Sequence, residues 1–203
     1  MIEISYRALV WLTYRLAATF TLGLPFILLL WAVIKKESSL IRLLSIYWKI
    51  SSILVITMLL LIDEKPLGYL VNFLSPILIV SSVWFWVDLN EEIADLPPWR
   101  PLALTIRVWR WSLTFLGVLY AGISFISLNC MQNLEGALCL SWLEAPQTFH
   151  NINQKIFGFL FGGNWNEPLA SFLGYIALII YFIGVIQWLL IRMPKQGRIA
   201  GEF

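Results

Sequence analysis

Charge is scarce in this 203-residue sequence. Lys, Arg, Asp and Glu together make up 13% of it, about half the share usual in a soluble domain. Histidine occurs once and cysteine twice, so histidine cannot supply both axial ligands of a haem, and a two-cysteine metal site lacks further nearby His or Cys. The sequence contains no G-x-S-x-G, no H-E-x-x-H and no P-loop. It has no Ser-, Gly- or Pro-rich linker and no internal repeat, which predicts one domain over 1–203. Glu3 stands where a signal peptide carries basic residues, and no small-residue cleavage pattern follows the first apolar run, so no leader is expected.

Apolar side chains are plentiful. Hydrophobic residues are 60% of the chain and mean hydropathy is +0.79. A surface of that character belongs in a bilayer. Four charge-free runs are long enough to cross about 30 Å of hydrocarbon. They are Leu16 to Ile34, Pro66 to Val87, Trp111 to Leu134 and Pro168 to Ile191. A fifth, Ile50 to Ile62, reaches spanning length when extended back to Leu43, with Lys49 snorkelling to the interface. The fold class is therefore an all-α membrane bundle with spans at about 16–34, 43–62, 66–87, 111–134 and 168–191. Ile4 to Tyr14 is expected to lie along the interface, because one helix from Ile4 to Ile34 would be about 46 Å long. Pro25 is a candidate kink in the first span.

Five spans put the termini on opposite sides. Arg7, Arg15, Lys65 and Lys155 fall on the side of the N-terminus, and the other ten of the fourteen basic residues fall on the side of the C-terminus. The positive-inside rule then predicts an N-terminus outside and a C-terminus in the cytoplasm. Cys130 and Cys139 lie in the loop after the fourth span, on the expected outer side, where a disulfide can form; two reduced thiols are the alternative. The eleven tryptophans read as membrane-interface belts. Small residues at four-residue spacing (Gly117 and Ala121, Gly158 and Gly162, Ala170 and Gly174) suit close helix approach.

The most informative stretch runs from Trp84 to Trp111. Asp88, Glu91, Glu92 and Asp95 share one helical face, Asn90 lies among them, and Pro97 and Pro98 stop the helix. If the third span simply continues, these carboxylates sit near a helix C-terminus, where the dipole disfavours them. Arg100, Arg107 and Arg110 follow. The simplest reading is a charge-paired hairpin joining spans three and four; a partner-docking surface and a divalent-cation site are alternatives. No Asp or Glu lies inside a span, which argues against proton relays and ion-coupled transport. His150 lies in the outer loop.

The strings YRLAATF, IYWKISS, WFWVDLNEEI, VWRW, WLEAP and KQGR occur in order between Tyr6 and Arg198. With them the chain resembles a cyanobacterial family of small integral membrane proteins of unknown function. The resemblance implies a phototroph and a thylakoid or plasma membrane, and it supplies no catalytic residues. By analogy it suggests a non-enzymatic protein that binds other membrane proteins, as an assembly factor or accessory subunit of a photosynthetic complex. Neither a cofactor nor a nucleic-acid partner is expected. The competing expectations are a small-solute or lipid transporter or channel, and a metal-assisted membrane enzyme using Asp88, Asn90, Glu91 and Glu92.

Overall fold

The computed structural model describes residues 2–97, 99–132, 136–161, 163 and 165–200. Among them there is no strand. Five helical stretches are long and apolar enough to cross a membrane: Tyr6–Lys35, Ser38–Ile62, Pro66–Trp84, Pro101–Met131 and Glu167–Ile191. The first consists of α1 (Ile2–Ala17), a π-helical segment (Ala18–Gly23) and α2 (Leu24–Lys35). The second is α3 (Ser38–Ser51) followed by α4 (Ile53–Ile62), and the third is α5 (Pro66–Trp84). A short helix, α6 (Val87–Asp95), precedes α7 (Pro101–Ser127), the body of the fourth. α8 (Ala137–Phe161) precedes α9 (Glu167–Gln187), the body of the fifth, and α10 (Met193–Gln196) follows.

Local chemistry sets these boundaries. Pro66, Pro101 and Pro168 sit in the first turns of α5, α7 and α9, where the missing N–H costs nothing. Asn166 caps α9 by accepting the Leu169 N–H at 2.9 Å. Lys36 and Glu64 adopt left-handed backbone in the tight turns after α2 and α4, so consecutive spans return antiparallel. The second and third spans form the centre, with α5 packed against both α4 and α7. α9 packs chiefly on α4, through a stripe including Ala170, Gly174 and Leu178.

The expected interfacial segment Ile4 to Tyr14 is instead the start of the first membrane helix. Its inward face does not lie on lipid: Val10 and Tyr14 pack against Trp142 of α8 in one buried cluster. Most of the expected outer loop is helical, as α8. The third span ends at Trp84, earlier than expected. The end of the fourth expected span, Asn133 and Leu134, lies outside the described residues, as do Pro98 and Gly162. The tryptophans are not all belt residues, since Trp86, Trp109 and Trp142 are buried in the bundle.

Pro25 acts through hydrogen bonding at the π segment. The Leu24 N–H reaches back to Thr19 O, skipping Phe20 O, and Pro25 has no N–H to offer either Phe20 or Thr21. Both orphaned carbonyls are taken by other spans. Tyr47 of α3 donates its hydroxyl to Thr21 O at 2.7 Å, and Trp109 of α7 donates its indole N–H to Phe20 O at 2.9 Å. The two rings meet edge to face at 5.1 Å. One helical irregularity thereby joins three spans.

Candidate functional site

The residues singled out in the sequence gather at one end of the bundle, beside the α2–α3 turn and the C-terminal tail. The acidic helix is not a continuation of the third span. The chain breaks at Phe85 and Trp86, and α6 starts afresh at Val87. Asp88 therefore lies in a helical first turn, where negative charge is favoured, and the expected dipole conflict does not apply to it.

The break exposes the terminal carbonyls of α5, and side chains satisfy them in sequence. Arg110 donates to Val83 O at 2.9 Å, Asn90 donates to Trp84 O at 2.9 Å, and Arg198 donates to Phe85 O at 2.8 Å. Arg110 also donates to Asn90 Oδ1, and its guanidinium sits 4.1 Å from the centre of the Trp84 ring. It is buried, at 4% exposure. Arg107 performs the same service for α6, donating to the carbonyls of Ile93, Ala94 and Leu96 at 2.8 to 3.1 Å. Basic groups at helix C-termini complement the dipole as well as the lone pairs.

This arrangement corrects the charge-paired hairpin. Arg107 and Arg110 bind carbonyls and an amide, not the acidic face. The carboxylates pair elsewhere. Glu92 takes a two-pronged bond from Arg42 of α3, at 2.6 and 2.7 Å, and Arg100 pairs with Glu37 of the α2–α3 turn at 2.8 Å. Asp88 accepts the Ala200 N–H with both oxygens at 3.0 Å, while the Val87 N–H donates to Arg198 O at 3.1 Å. The tail thus returns after Gly197, which has a positive φ of 63°, and buries Ala200 in the core. Glu91 and Asp95 remain exposed and form no ion pair with the described residues, and Trp99 is 82% exposed. Asp88, Glu91, Glu92 and Asp95 share a helical face but do not converge on one point.

The opposite end holds a second polar cluster that the sequence reading missed. Glu144 of α8 accepts from Arg7 at 2.7 Å and from the Trp11 indole at 2.6 Å. Trp142 donates to the Tyr6 hydroxyl at 2.9 Å, and Tyr14 donates to Trp142 O at 3.1 Å. Cys130 and Cys139 are joined in a disulfide, with Cα atoms 5.6 Å apart, and pack in the same cluster. In the α4–α5 turn, Asp63 accepts from Ser171 of α9 at 2.5 Å and pairs with Lys65 at 3.1 Å. No local signal marks the partners of Glu144, Trp142 and Asp63 on other helices, because Arg7, Trp11, Tyr6, Tyr14 and Ser171 are remote from them in sequence.

Burial pushes the Glu144 carboxyl up, but the hydrogen bonds from Trp11 and Arg7 and the charge of Arg7 outweigh it and hold it below its ordinary value. For Asp63, burial is likewise outweighed, by the Ser171 and Lys65 hydrogen bonds and the Lys65 charge. A carboxyl lowered on folding stabilises the fold fully above its unfolded value of about 4, and that contribution is lost as pH falls through the lower folded value. Thermal midpoints are therefore expected to fall below about pH 4. The fall is expected to be shallower in Glu144→Gln; an unchanged acid slope in that variant would remove Glu144 as a cause.

These features define an integral membrane protein whose polar groups at both ends tie helices together. The chain belongs to the family described as "Protein of unknown function (DUF3177)", matched over residues 7–201. No curated protein and no solved structure matches it.

Proposed function

We propose that this is a non-enzymatic membrane protein that binds other membrane proteins, as an assembly factor or accessory subunit of a photosynthetic complex in a cyanobacterial thylakoid or plasma membrane. The N-terminus faces outward and the C-terminus the cytoplasm in this reading, as the four-to-ten split of basic residues favours. The observation that carries the partner reading is the division of labour on α6 and the turn after it. Asp88 and Glu92 are engaged within the chain, whereas Glu91, Asp95 and Trp99 are each exposed. An exposed tryptophan four residues after an exposed carboxylate suits a basic, aromatic-tolerant partner surface at the membrane edge.

The test is gentle purification from native membranes through an N-terminal tag, because Ala200 is buried and a C-terminal tag lies close to it. Other integral membrane proteins are expected to co-purify. A variant carrying Glu91→Lys, Asp95→Lys and Trp99→Ala is expected to lose them by about tenfold while remaining folded. Recovery of the protein alone, or of the same partners at the same yield with the variant, defeats the proposal. Recovery alone directs attention to solute flux in proteoliposomes.

A further inference from the structure

A lateral groove separates the first and fourth spans. Its walls are α1 with the π segment on one side and α7 on the other, and its floor comes from α4 and α5, including Leu54, Pro76 and Ile79. The cavity is about 170 Å³ and its lining is almost entirely hydrocarbon. The carbonyls that the π segment would have offered, Phe20 O and Thr21 O, are already taken by Trp109 and Tyr47. The Tyr120 hydroxyl on the α7 wall is likewise committed, to Asn72 Oδ1 at 2.7 Å. A space so lined does not hold water. Leu12 and Leu119 on the rim are exposed, so the groove opens sideways.

Its length identifies the occupant. From Leu9 to Thr21 the groove follows thirteen residues of helix, about 18 Å of rise. One leaflet of hydrocarbon is about 15 Å deep, half of the bilayer core. The groove begins three residues into the first spanning stretch, Tyr6–Lys35, and stops near the middle of that stretch, at the π segment. π-turns of this kind occur frequently at functional sites. We infer that this groove holds one acyl chain of a bilayer lipid from the leaflet on the N-terminal side of the first span. Its head group lies beyond Leu9 and its methyl end rests at the π segment. This inference does not depend on the partner proposed above.

Native mass spectrometry of the detergent-purified full chain, stripped of lipid and then given dioleoylphosphatidylglycerol, tests it. One lipid is expected to remain bound under conditions that remove the lipid around the bundle. Ala17→Phe, which fills the groove from one wall, is expected to weaken retention about tenfold. Ile180→Phe, on the 65%-exposed face of α9, is expected to leave retention unchanged. Leu116→Trp fills the groove from α7 and replaces Ala17→Phe if that variant does not fold by size exclusion. Equal retention in the groove variant and the α9 control overturns the inference. So does retention of an added isoprenoid alcohol in place of the acyl lipid.

Discussion

Tyr47→Phe is expected to destabilise the bundle by about 1–3 kcal/mol although it removes a single oxygen atom. The hydroxyl is the donor to Thr21 O, a carbonyl whose usual helical donor, four residues on, is missing because residue 25 is proline. In a lipid environment no water replaces it, so the full desolvation penalty of the carbonyl remains. Trp109→Phe removes the donor to Phe20 O in the same way, with some packing loss added. Pro25→Ala separates this account from a loss of ring packing. An N–H at position 25 lets the helix close on one of the orphaned carbonyls, so Tyr47→Phe is expected to cost less in that background. Denaturant titration of the four variants in a double-mutant cycle measures the coupling, expected at about 0.5–3 kcal/mol. Zero coupling would mean that the proline and the tyrosine act independently.

The same irregularity shows where the sequence could be read and where it could not. The spans were legible because four runs lack charge over a full membrane crossing. The first was read too short because Arg7 and Arg15 interrupt its apolar run, although Arg7 is paired with Glu144 of α8 on the same side that Val10 and Tyr14 pack there. α8 itself mixes Glu144, Pro146 and Lys155 with apolar residues, so neither hydropathy nor a clean amphipathic stripe announced it. Pro25 marks a kink in the sequence, but nothing local indicates that its consequence is two carbonyls satisfied from Tyr47 and Trp109.

The candidate site was legible in composition but not in pairing. The spacing of Asp88, Glu91, Glu92 and Asp95 correctly put them on one helical face. The break at Phe85 and Trp86 carries no glycine or proline, so the face was attached to the wrong helix end. The counter-ions Arg42 and Glu37, and the tail residues Arg198 and Ala200, are remote in sequence and became partners only through the packing of α3, α6 and α7. Small-residue spacing was informative at Gly117, where it marks a close crossing of α5 and α7, and at Gly174, where it marks that of α4 and α9.

Gly117 gives the sharpest steric test of that crossing. A Cβ added there would lie 2.5 Å from Cγ2 of Val80, closer than two carbons can approach. Val80 belongs to α5, and a helical valine has essentially one χ1 well, so its methyl cannot swing aside cheaply. Pro76 O stands 3.8 Å from the same point and leaves little freedom for the helices to slide. Gly117→Ala is expected to cost about 1–3 kcal/mol, and Gly117→Leu more, through forced separation of α5 and α7. Val80→Ala in the same chain removes the clashing methyl and is expected to restore most of the loss. Gly122→Ala, five residues along the same helix with nothing within 4 Å of its added Cβ, serves as the control and is expected to be neutral or mildly stabilising. Denaturant midpoints in a fixed detergent decide the matter. If Gly117→Ala matches Gly122→Ala, the crossing is looser than the geometry requires; rescue by Val80→Ala locates the cost in one methyl group.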